Sequence, residues 1–234
     1  LNKLRHMKPT NMESVNYEND ARFDAAVAEK VQQHSTALAT KIDRIFAGMM
    51  LIQWLACVFT VLLISPHTWI GETGYLHQHL WLALVGGRIL SSLPLYFAWK
   101  HAGQVCTRMV IAVSQMLFSV LLIHFTGGRI ETHFHVFASL AFLAAYRDWR
   151  VLAMATAVVA ADHFVRGIWW PQSVFGVATA DSFRWLEHAG WVLLEDLFLI
   201  VTIRWSLEEM TESARKQTRI ELDSEVITRA KEQA

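Results

Sequence analysis

Charge is scarce in this chain, and it cancels. Asp, Glu, Lys and Arg make up 18% of the 234 residues, 21 basic against 21 acidic. Without a basic excess there is no electrostatic footprint for nucleic acid. Cysteine is nearly missing as well. Cys57 and Cys106 form neither a CxxC pair nor a framework of paired spacings, so a disulfide scaffold is excluded and both read as small apolar fillers. Proline occurs four times, leaving long stretches free to be helical. No Ser/His/Asp nucleophile arrangement and no phosphate loop is present, so no enzyme activity is expected of this chain. A cleavable signal peptide is not expected either, because the first apolar run starts only near Ile45.

What fills the chain is apolar. Hydrophobic residues reach 53%, with ten tryptophans and a mean hydropathy of +0.28. They are bunched into runs of about 20 residues, the length that spans the hydrocarbon core as a helix. The expected fold is therefore an all-α polytopic membrane bundle of six spans, near Ile45–Ile64, Leu76–Trp99, Val105–Phe125, Ile130–Tyr146, Trp149–Ile168 and Phe183–Trp205. Gly86, Gly87, Ser91 and Ser92 give the second span a small-residue face for close packing. Three parts follow: a segment 1–44 with an amphipathic helix (Phe23, Val27, Val31, Leu38, Ile42, Ile45), a membrane domain 45–205, and a helix 206–234. That last helix lacks Gly and Pro. Met210, Ile220 and Ile227 form a weak heptad with Ile203, pointing to a coiled coil and a homodimer. A helix without a destination implies an effector domain attached to it.

Loop charge sets the expected orientation. Lys100, Arg108, Arg147 and Arg150 fall on the side of the basic termini, whereas "SPHTWIGETGY" has no Lys or Arg. Both termini are then cytoplasmic, in a bacterial inner membrane. On this topology the opposite, outer layer collects eight of the eleven histidines. "HFTGGRIETHFHVF" alone brings His124, Glu131, His133 and His135. Asp162, His163 and Arg166 close the fifth span, and Arg184, Glu187 and His188 open the sixth. His67, His77 and His79 lie in or beside the first outer loop. Ionisable residues at this depth are costly and face a bundle interior or cavity.

Helical spacing ranks them. Glu131 and His135 are four apart and share a face, while His133 is turned away by about 200°. His135, His163 and His188 are thus the expected convergent set, with His133 second and Glu131, Asp162 and Glu187 as carboxylate partners. His77, His79, His124 and Glu195 are additional candidates. Arg129, Arg166 and Arg184 would sit behind them, Arg166 pairing with Asp162. Histidines and carboxylates from several helices suit zinc, iron or copper. Two axial histidines would instead hold haem b, and histidines beside carboxylates can sense protons. A His-rich membrane metalloenzyme is the rival function class. The plain alternative is structural: interfacial histidines, ion pairs and an aromatic belt. "WWPQSVFG" reads as a lid over the site.

Three stretches carry a resemblance: "LLIHFTGGRIETHFHVFASLAFLAAYRDWRVL", "ADHFVRGIWWPQSVFG" and "RWLEHAGWVLLEDLFL". Over roughly Asp43 to Arg219 the chain resembles the N-terminal membrane-integral input module of bacterial sensor histidine kinases, chemotaxis-type receptors and diguanylate cyclases. The resemblance implies a sensor whose signal leaves through the C-terminal helix. It implies no particular ligand. No kinase, methyl-accepting or cyclase motif accompanies it in this sequence.

Overall fold

The computed structural model describes residues 21–65, 67–70 and 73–233, with backbone only at 68–70 and 73–75. The polar start of the N-terminal segment, Pro66, Gly71, Glu72 and the side chain of Trp69 lie outside the described residues. The chain divides into two compact units, one of Ser35–Ser206 and one of the residues up to His34 with those from Leu207 on.

The larger unit is a bundle. Helix α1 runs Ala21–Ile64 and stops before Ser65, whose proline neighbour disfavours helical backbone. A small hairpin follows, β1 His67–Ile70 against antiparallel β2 Thr73–Leu76, in the loop after the first apolar run. Next come α2 Gln78–Trp81, a π-helical turn Leu82–Gly86 and α3 Gly87–Lys100, continuous as one apolar helix. Then follow α4 Val105–Phe125, α5 Ile130–Leu143, a 3₁₀ turn Ala144–Tyr146, α6 Trp149–Trp169, the short α7 Pro171–Phe175 and α8 Arg184–Glu232. Central among them is α4. It buries Ile111, Gln115, Phe118, Ser119 and Ile123 on more than one face, as a helix enclosed by neighbours must. The small-residue face of α3 works at Gly87, where an added Cβ would lie 2.5 Å from Trp54 Cδ1. Ser91 Oγ reaches the carbonyls of Met50 (3.2 Å) and Gly87 (2.9 Å).

Among the described residues, four helices are long and apolar enough to cross a membrane: Ala21–Ile64, Gln78–Lys100, Val105–Phe125 and Trp149–Trp169. Their outward residues, such as Ile52, Phe59, Leu63 and Ile89, are exposed, which suits lipid rather than water. α5 has 14 residues, about 21 Å, short of the ~30 Å hydrocarbon core. The apolar part of α8 carries the adjacent acids Glu195 and Asp196.

At the end of the bundle holding His101 and Arg147, two aspartates tie loops to helices. Buried Asp43 accepts from the Gly103 N–H and from the Tyr146 hydroxyl, both at 2.7 Å. Asp148 caps α6 by accepting from the Arg150 N–H (3.1 Å) and pairs with Arg108 (3.1 Å) and Arg150 (2.9 Å).

In the smaller unit, the beginning of α1 meets the end of α8. Phe23, Val27 and Ala214 form a buried cluster with Val31 and Leu222 against it, and Lys30 pairs with Glu221 at 2.6 Å. Of the expected heptad, Ile203 and Met210 are buried. Met210, Ala214 and Thr218 are buried there, whereas Ile220 and Ile227 are exposed. The stripe turned toward Phe23 follows i, i+4 spacing on the helix, which carries it off Ile220 and Ile227.

Candidate histidine-lined site

Three imidazoles from three helices meet between α5, α6 and α8. His133 lies 5.5 Å from His163 and 5.3 Å from His188, ring centre to ring centre, and His163 lies 5.7 Å from His188. Each Nδ1 is engaged in the same way, by the carbonyl four residues earlier on its own helix. His133 bonds Arg129 O (2.9 Å), His163 bonds Val159 O (3.1 Å) and His188 bonds Arg184 O (3.3 Å). A carbonyl can only accept, so each Nδ1 carries the proton and, in the neutral ring, each Nε2 carries the lone pair. His133 Nε2 is buried with no partner among the described residues.

The three rings line a cavity of about 250 Å³ whose other walls are apolar, among them Val136, Phe137, Val159 and Val192. Thr156 lines it as well, with its hydroxyl donated to Asp196 Oδ2 at 2.5 Å. Asp196 Oδ1 and Glu195 Oε2 are buried without partners among the described residues.

α7 covers this layer. Proline at its first position and Gly176 in the left-handed region after its last residue confine it to little more than one turn. Gly128 lets the preceding loop approach it: its φ is +76°, and a Cβ there would lie 2.6 Å from Val174 O. From α7, Phe175 packs on His188 (5.1 Å) and His163 (6.4 Å), and Arg184 lies over its ring at 5.2 Å. Ser173 bonds His124 Nδ1 (2.8 Å) and accepts from Arg166 Nη1 (2.7 Å). Arg166 holds both oxygens of Asp162 at 2.6 Å, and Asp162 Oδ2 is 3.3 Å from His163 Nδ1. A second histidine group adjoins, with His77, His79 and His124 stacked edgewise at 4.2 and 4.7 Å and Trp170 5.0 Å from His124.

The expected set is thus redrawn. His163 and His188 meet, but their third partner is His133, not His135. α5 is buried on two faces. The His133 face meets α6 and α8. The opposite face meets α1 and α4, where His135 bonds Ser119 (2.8 Å) and Gln53 (3.2 Å), with Gln115 reaching Ser139 at 2.8 Å. Ranking His135 first assumed one interior face. Glu131 and Glu187 are exposed and stand outside the trio, and Arg129 is exposed too, contributing only its carbonyl. Asp162 is committed to Arg166. His77, His79 and His124 form their own group, and Glu195 lies toward mid-helix. The sequence reasoning missed Thr156, Ser173, Phe175, Gln53 and Ser119. Only Phe175 and Ser173 had a signal, through the lid reading of "WWPQSVFG". Among the described residues, no group of three or more His, Cys, Asp or Glu side chains is arranged to hold a metal ion.

Over 141 residues the chain is 34% identical to "Transducer protein Htr8" of Halobacterium salinarum, a match that covers 58% of this chain and 21% of that protein. The chain therefore spans about a fifth of the length of this curated relative. No family model matches the chain, and no solved structure does.

Proposed function

We propose that this chain is the membrane-embedded sensory input part of a signalling receptor and that the His133–His163–His188 cavity is where it senses. The carrying observation is that one cavity is walled by imidazoles on three helices, and that one of these, α8, runs unbroken from Arg184 to Glu232. Likeness to a transducer over 141 residues supports the class. In this reading the chain crosses the bacterial inner membrane six times, α5 and the first part of α8 being the two further crossings. Both termini are cytoplasmic, two copies associate, and an effector domain takes up the output of α8. Exposed Trp191, Leu194, Leu197 and Phe198 give α8 an apolar face toward lipid or a second copy.

The occupant we favour is a small molecule. Imidazole donors suit zinc, iron or copper in principle, but the side chains do not assemble a donor set. Haem b is larger still than the ligands of ordinary pockets, which need ~300–1,000 Å³, and the cavity holds about 250 Å³.

The experiment is a chimera with a histidine kinase core after Ala234, assayed in membrane vesicles. Val192→Trp fills the cavity from α8 without touching a histidine. Phosphorylation is expected to shift at least twofold from the parent chimera. Unchanged output in a folded variant sinks the sensor reading. Metal analysis of the purified chain accompanies it, and a stoichiometric ion lost in His133→Ala returns the site to a metal.

A further inference from the structure

Two groups of opposite charge stand unpaired near the middle of the bundle, on two different helices. α2, the π-helical turn and α3 run as one apolar helix, Gln78–Lys100. Arg88 lies about 15 Å from its start and about 18 Å from its end, at 1.5 Å per residue. Trp81, Val85, Arg88, Ser92, Tyr96 and Trp99 recur every three or four residues and are all exposed, so they form one stripe. The Arg88 guanidinium lies 5.9 Å from the ring centre of Trp54 and has no carboxylate partner among the described residues. Arginine keeps its charge at any working pH. One this deep is too far from either end of the helix to snorkel to the headgroups, so lipid is a costly neighbour for it.

The complementary group is on α8. Glu195 lies about 16 Å from Arg184, where α8 begins. It borders the exposed Trp191 and Phe198, is itself partly buried, and makes no hydrogen bond or ion pair among the described residues. Of its two oxygens only Oε2 is buried, which leaves the other open on that flank. Its neighbour Asp196 differs, being buried and bonded to Thr156 of α6. We infer that the Arg88 stripe is an interface between two copies of this chain, in which Arg88 of each copy pairs with Glu195 on α8 of the other. The inference rests on the six crossings and the two copies proposed above. In that topology the second and sixth spans run in the same direction, so the two charges stand at matching depth. A two-fold axis repeats the pair. Ser92, one turn beyond Arg88, is small enough to let the other copy's helix approach closely. The helix that carries the output of each copy is then held by its partner.

The test uses the whole chain in lipid vesicles, with donor and acceptor fluorophores fused after Ala234 and association read by energy transfer as lipid dilutes the protein. Glu195→Gln strands the charge of Arg88 and should weaken association about tenfold. Adding Arg88→Gln removes the stranded charge and should bring association back to within about threefold of the parent. In a Cys57→Ala, Cys106→Ser background, one copy carrying Ser92→Cys and another carrying Thr202→Cys should be joined by a short bismaleimide. That cross-link is made with both charges in place, so it decides the case even where Glu195→Gln does not reach the membrane. Glu195→Gln without effect overturns the inference, as does a double variant no better than Glu195→Gln alone, or a dimer that the bismaleimide does not join. In each of these the two copies still associate, and only their interface is misassigned. A chain that stays monomeric at every dilution overturns the interface and the two-copy reading together, while the kinase chimera decides the sensor reading on its own.

Discussion

At the scale of single residues, hydrogen-bond geometry decides what each polar group in the bundle can do. Asp148 illustrates it away from the histidines. Burial alone pushes its carboxyl up, but the hydrogen bonds from Arg150 and the charge of Arg108 outweigh this and hold it below the usual carboxylate range. A carboxyl depressed in the folded state adds stability above its unfolded value near 4 and loses it as pH falls through the lower, folded value. Asp148→Asn should therefore cost about 2 kcal/mol at neutral pH, typical of hydrogen bonds to a charged group. The gap from the parent should narrow below about pH 4. Unfolding in mixed detergent micelles, repeated from pH 7 to pH 3, reads it, and a constant gap refutes the assignment. The histidines show how far residue-level reading of sequence goes. Spacing alone brought out His163 and His188. It put His135 ahead of His133, whereas both faces of α5 are covered and periodicity gives only relative angle, not which neighbour stands on which side.

At the scale of elements, helix α8 has most at stake. It carries His188 against the cavity, Asp196 bonded to Thr156 of α6, and then a continuous run to Glu232. A ligand that favours one placement of α8 over another shifts a population only by its difference in affinity for the two. Inserting one to four alanines after Ser206 rotates everything beyond by about 100° per residue. Kinase output in the chimera should rise and fall with that rotation and return toward the parent near the fourth insertion. Output that falls steadily with length instead would mean that α8 acts as a tether. The helical character of this element was legible from its lack of Gly and Pro. Its packing within the chain was not: the heptad includes Met210, which is buried, but not Ala214, which clusters with Phe23 and Val27. That pairing joins residues nearly 200 apart in sequence, and local periodicity carries no record of it.

For the whole molecule, apolar run length located the helices well, because burial in lipid or in the bundle demands the same composition. It served less well for crossings. Among the described residues four helices meet the length and apolarity of a span, while α5 is short and α8 carries two acids. Alkaline phosphatase fusions separate the possibilities. Six crossings predict no activity for fusions at Arg147 and Ala234 and high activity for a fusion at Thr73. Activity at Ala234 would mean an odd number. The hairpin His67–Ile70/Thr73–Leu76 was invisible in composition, since its register is set by backbone pairing in a stretch with no apolar alternation.

The backbone origin of the three Nδ1 bonds bears on how such a site can persist while its surroundings change. A backbone carbonyl engages Nδ1 in His133, His163 and His188, and His163 alone adds a side chain there, Asp162. The acceptors are carbonyls of Arg129, Val159 and Arg184, and any residue in those places supplies the same atom. The tautomer is inherited from the helix itself, so substitutions around the rings can retune size and polarity while the lone pairs stay where they are. Only a change that opens the helical turn, such as proline within it, would release them.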